Sequence, residues 1–226
     1  MRFPCNFARY FTLALFLLLF GIVLVLIQTA FQFHDVTPLT HDQIEARAYY
    51  HSQVIVPALA KVFPLLFFLN AGVALFILII PLFWVWVWWF NRDLLDIVIR
   101  MMQVTVGILM VALGHNSFDL VYLTYRLLPW QVIAVTFLPH GWLEMLAFVL
   151  AGTWAFMTID ALKPYLMAMK ERPDLHPGDI CLFILGRVWM AGLVIVIFIG
   201  IAAAIECFVT PVLIEAAFAA VLQGSW

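Results

Sequence analysis

Between Phe11 and Phe31 the chain runs through FTLALFLLLFGIVLVLIQTAF without one charged side chain. A helix crossing a bilayer needs about 20 such residues, and lipid leaves backbone amides no partner except one another, so a helix is the structure available to this segment. The run is too long for the apolar part of a secretory signal, and no small-residue cleavage site follows it, so it reads as a retained span. Comparable segments recur. Taking the first as Tyr10–Phe31, the others are Leu69–Phe90, Leu94–Gly114, His140–Asp160 and Cys181–Phe208. Composition agrees: 66% of the 226 residues are hydrophobic and 11% charged, against about a quarter charged in soluble domains. The expectation is an all-α, polytopic transmembrane helix bundle of five to six spans with some interfacial or broken helices. Residues 1–226 form a single integral membrane domain with no room for a soluble one.

That composition also excludes functions. A net charge of −2 with scattered basic residues offers nucleic acid no patch, so the expected partners are the lipid bilayer and other membrane proteins. Cys5, Cys181 and Cys207 lie far apart with no CxxC spacing, which argues against a zinc knuckle or a disulfide framework. Ser52, Ser117 and Ser225 stand in no nucleophile-elbow context, and the chain has no nucleotide-binding sequence. It is read as a non-enzyme without a cofactor.

Polar punctuation sets the topology. Residues 32–68 hold the most polar stretch, FHDVTPLTHDQIEARAYYHSQ, followed by VIVPALAKVFPLLFF, where Pro57 and Pro64 predict a broken segment lying along the interface. Trp84, Trp86, Trp88 and Trp89 before Asn91-Arg92 mark a membrane boundary. Residues 164–179 read as a cytoplasmic loop. With the N-terminus in the cytoplasm, Arg2, Arg9, Arg92, Arg100, Lys163, Lys170 and Arg172 fall inside, while Arg47, Lys61 and Arg126 fall outside. This bias predicts a cell inner-membrane protein whose PVLIEAAFAAVL tail is an outer interfacial helix.

Ionisable groups in lipid cost several kcal/mol unless paired, so each is a candidate for function. In LPHGWLEML, His140 and Glu144 are one helical turn apart and share a face. Pro139 suits a first helical turn and disfavours helix at Leu138, which predicts a helix start there, and Gly141 would admit a close neighbour. In AAAIECFVTP, Glu206 stands one turn before Thr210 and Pro211, which are expected to end the last span. Counting along the spans puts Glu206, Glu144 and His140 at similar depth in the outer half, as one polar cluster. Asn70 and Asn116 read as caps or turn residues. Asp96 is expected to pair with Arg100, and Arg187 with Asp160 or Asp179. The cluster admits a structural lock, a transport site or a metal site; one histidine and one glutamate are too few ligands for a structural zinc, so no metal is assigned. The small-residue faces Gly192–Gly200 and Ala202–Ala204 suit packing within one chain or in a homo-oligomer.

PHGWLE, with the alanine-glycine helix AFVLAGTWAF after it, and AAAIECFVTP resemble the stage II sporulation protein M family. Its members carry a Pro-His-Gly…Glu segment opening a transmembrane helix and a later small-residue run ending in Ile-Glu…Thr-Pro. FFLNAGVAL is similar to an asparagine-bearing early span of that family, so the resemblance covers roughly Phe67 to Pro211. It implies that Pro139, His140, Gly141, Glu144, Glu206, Thr210, Pro211 and Asn70 belong to one motif. It also implies a membrane scaffold in cell-envelope remodelling that works with peptidoglycan hydrolases. The alternative is a permease component driven by a separate ATPase subunit.

Overall fold

The computed structural model describes residues 6–32, 39–125, 128–170 and 176–224, and among them every element is helical. Seven α-helices follow in order: α1 Phe7–Gln32, α2 His41–Tyr50, α3 Val56–Phe90, α4 Leu95–Tyr125, α5 Trp130–Lys170, α6 Pro177–Ala204 and α7 Thr210–Leu222. Five segments are long and apolar enough to cross a membrane: Phe7–Thr29, Lys61–Phe90, Arg92–Asn116, Trp130–Met169 and Pro177–Leu222. Arg2, Cys5, Arg126 and Arg172 lie outside the described residues.

Prolines interrupt far less than expected. Pro57 occupies the first turn of α3, and Pro64 lies inside that helix, so Val56–Phe68 is unbroken helix continuous with Leu69–Phe90 and not a separate, broken segment. Pro139 sits inside α5, which starts nine residues earlier, and Leu138 is helical. A mid-helix proline costs about 3 kcal/mol in water, but packed neighbouring helices keep it tolerable inside a membrane. Likewise α5 persists through Pro164 to Lys170, so the expected loop from 164 begins as helix. Asn116 is within α4 and caps nothing.

Two prolines share a different device. The five residues His51–Ile55 and the five residues Ile205–Val209 form π turns. In these turns the amide of Val56 bonds the His51 carbonyl, and that of Thr210 the Ile205 carbonyl. Each of those amides belongs to the residue just before a proline, Pro57 or Pro211. Proline lacks an amide and its ring crowds the carbonyl four residues back. The widened turn accommodates both defects, so α2 runs into α3, and α6 into α7, without a break. Pro211 therefore does not end the last span.

The core runs between all five spans, with Leu18, Ile77, Met102, Met110, Ile159 and Ile184 almost fully enclosed. α1 lies mainly on α4, whereas α6 lies between α3 and α5. Gly192 and Gly200 face Leu75, Leu78 and Phe67, so this glycine face is covered by α3 of the same chain. A smaller cluster of Val132, Ile214, Ala217 and Phe218, with Ile44 and Ala48, joins α2, α5 and α7 at one end. The opposite end carries charge and tryptophan. There Lys163 bridges Asp96 at 2.8 Å, and Asp160 accepts from Asn6 at 3.4 Å and from the Tyr10 hydroxyl. Arg92 lies 4.5 Å from the Trp89 ring, while the Trp88 indole donates to the Arg92 carbonyl at 3.1 Å. Asp96 thus takes Lys163 from another helix as its hydrogen-bonded partner, with Arg100 acting on it more weakly. Arg187 lies over Phe183 at 5.5 Å, and Asp179 caps its own helix at His176.

Candidate functional site

Sixteen residues separate Glu144 from Asp160, twenty separate Asn70 from Phe90, and nineteen separate Arg187 from Glu206. At helical rise these are about 24, 30 and 28 Å. All three counts start at the charged, tryptophan-rich end, so Asn70, Glu144 and Glu206 reach a common level near the far edge of a hydrocarbon layer about 30 Å thick.

At that level the side chains meet. The Asn70 amide of α3 donates to Glu144 Oε1 of α5 at 2.6 Å. Such a bond to a carboxylate is worth more than one between neutral groups. Glu206, in the π turn between α6 and α7, is near enough for its charge to act on Glu144. One turn before Glu144, His140 is 5% exposed, and its Nδ1 lies 3.5 Å from the hydroxyl of the buried Thr210 on α7. Asn70, Glu144 and Glu206 are each half-buried. The two bonds therefore join α3, α5 and α7, with Glu206 of the intervening π turn beside them, and leave the two carboxyl groups at a partly open seam.

Six of the eight residues singled out above fall at this place, five by direct contact or charge and Pro211 through the π turn beside Glu206. Asn70 does so in a way its expected capping role did not anticipate: it is mid-helix, and its amide serves a different helix. Pro139 and Gly141 behave otherwise. Pro139 opens no helix, and a Cβ built on Gly141 would meet nothing within 4 Å, so no helix approaches there. The neighbours Leu138 and Trp142, 68% and 57% exposed, show that this strip of α5 faces outward. Among the described residues no three histidine, cysteine or acidic groups are arranged to hold a metal ion.

Two further polar contacts carried no sequence signal. His115 on α4 bonds Gln28 on α1 at 3.0 Å, and the Trp84 indole donates to Thr105 at 3.1 Å. Each pairs residues distant in the chain, and neither residue type is unusual near a membrane boundary.

Fold and site together define a multi-pass helical membrane protein with a polar inter-helix centre. No protein family, curated protein or solved structure matches the chain.

Proposed function

We propose that this chain is a non-enzymatic, multi-pass inner-membrane protein of the stage II sporulation M type, with its N-terminus in the cytoplasm. It acts as a scaffold for partners in cell-envelope remodelling, peptidoglycan hydrolases among them. The observation that carries this reading is the convergence of Asn70, His140, Glu144, Glu206 and Thr210, drawn from three stretches of sequence that the family resemblance singled out together. A motif whose bonds tie α3 and α7 to α5 suits a protein that presents a fixed surface. The distribution of lysine and arginine supports the orientation. In-cell crosslinking followed by isolation of the tagged chain tests the role: envelope hydrolases should co-purify, and recovery of the chain alone would remove the scaffold reading.

A permease component is the second reading, favoured by the position of Glu206 within a π turn. Such turns recur at functional sites, and a locally widened helix beside paired acids is a plausible place for a cargo to be held. Vesicles containing the chain with its ATPase partner would then show flux that Glu144→Gln abolishes without loss of folding.

A further inference from the structure

Along α4, beside Leu17 of α1, runs an open groove of about 560 Å³ lined by Val104, Gly107, Ile108, His115 and Asn116, among others. That volume falls in the range of small-molecule sites. Gly107 lies on its floor, where a Cβ would meet only Leu17 Cδ1, at an ordinary contact distance of 3.8 Å, so a methyl fits and a larger side chain would take up the groove. Val104 and Ile108 are 52% and 63% exposed, so the groove opens outward, towards lipid.

Its polarity is graded along its length. From Val104 to Asn116 is twelve residues, about 18 Å at helical rise, close to the roughly 15 Å depth of one leaflet's hydrocarbon. Val104 is eight residues past Asp96, so the apolar end lies about 12 Å inside the charged boundary, towards the middle of the layer. The other end reaches the opposite boundary. There His115 Nε2 meets Gln28 Oε1 at 3.0 Å; the amide oxygen accepts, so the imidazole donates. This leaves the Gln28 amide nitrogen and the Asn116 amide at the mouth, both hydrogen-bond donors. Among the described residues no lysine or arginine lines the groove.

We propose that this groove holds one acyl chain of a bilayer phospholipid, with its ester and phosphate oxygens accepting from the side-chain amides of Gln28 and Asn116, and with His115 fixing the Gln28 amide in place. The match of length to one leaflet favours a lipid chain over a helix of a second copy, which would continue past the polar end. The described lining is apolar apart from His115 and these amides, so recognition rests on the chain and the ester region.

The test uses the full chain in nanodiscs containing phosphatidylcholine with a diazirine at the end of one acyl chain. After illumination, label should concentrate on Val104–Ile108 and Leu17, in excess of the equally exposed α6 positions Leu193 and Ile197. Gly107→Phe, which fills the groove, should lose that excess with melting unchanged, and Gly107→Ala should keep it. Ile108→Trp, at a more exposed position, is the second plug should Gly107→Phe fail to fold. Label spread evenly over the lipid-facing helices, an excess that survives either folded plug, or dimers crosslinked through α4 in place of lipid adducts would each overturn the proposal.

Discussion

The α1–α4 crossing and the α3–α5–α6 seam solve one problem by opposite means. In lipid no hydrophobic force draws helices together, so packing and polar contacts must do so. At the first crossing the backbones themselves touch. A Cβ on Gly21 would run into the Val111 carbonyl oxygen, and one on Gly114 into that of Leu18. The two glycines are reciprocal, each admitting the other helix's carbonyl. At the seam, side chains reach across a wider gap, through Asn70–Glu144 and Thr210–His140. Backbone contact is rigid and tolerates no added atom. A side-chain bridge can be lost while the helices stay where they are.

The sharpest way to break the comparison is at the glycines. Gly114→Ala puts a methyl into a backbone atom, which cannot swing away as a side chain would, so α1 and α4 must separate. Overpacking of this kind typically costs 1–3 kcal/mol and occasionally more; about 3 kcal/mol is expected here. Thermal unfolding in detergent should show the loss for Gly21→Ala and Gly114→Ala alike. Because both act at one crossing, the double variant should cost clearly less than the two singles summed. Additive losses, or a Gly114→Ala protein that melts like the parent, would mean that the crossing is looser than described.

A smaller effect is expected at the polar seam. Removing one partner of a fully buried ion pair costs several kcal/mol, but Glu144 is half-buried and its bonded partner is a neutral amide. Hydrogen bonds between membrane helices average below 1 kcal/mol in double-mutant cycles, with a maximum near 1.7. Asn70→Ala and Glu144→Ala should therefore each lower stability by about 1–2 kcal/mol. Their cycle should show a coupling of about 1 kcal/mol. No coupling between them would dissolve the lock and leave Glu144 free for transport chemistry, and Glu144→Gln flux measurements would then decide.

These two regions also differ in how far they could be read in advance. Glu144, His140 and Glu206 stand out because a charge in an apolar segment needs a partner, and counting residues along the spans placed them at one depth. Gly21 and Gly114 carry no such mark, because a glycine in a span looks the same whether it meets a carbonyl, as here, or open space, as Gly141 does. Pro64 and Pro139 misled for a related reason: their breaking power is a property of helices in water, whereas here α3 and α5 stay helical through them. The π turns at Pro57 and Pro211 could not be foreseen, since they depend on both halves of each long helix keeping their own contacts.

The smallest effect sharpens what a polar side chain contributes when it lacks a partner. His51 opens the first π turn, outside the five spans, with its ring 6.1 Å from Phe218. Both ring nitrogens, and Nη1 of Arg47 one turn earlier, are buried with no hydrogen-bond partner. Burial holds the His51 pKa below its ordinary 6.5, with Glu215 of α7 pulling the other way. A histidine that protonates less readily folded than unfolded contributes stability above about pH 6.5 and loses it as the pH falls further. From pH 7.5 down to 5 the parent's melting should therefore fall relative to that of His51→Leu, which lacks this contribution. At pH 7.5 the variant should also match or slightly exceed the parent, by at most ~1 kcal/mol, since an unpartnered polar group is removed from a half-buried place. Glu144→Leu, which deletes a partnered group, should move the opposite way. If His51→Leu instead destabilised the chain as much as Glu144→Leu, burial and not partnership would govern polar residues here, and the contrast between seam and crossing would have to be drawn on packing alone.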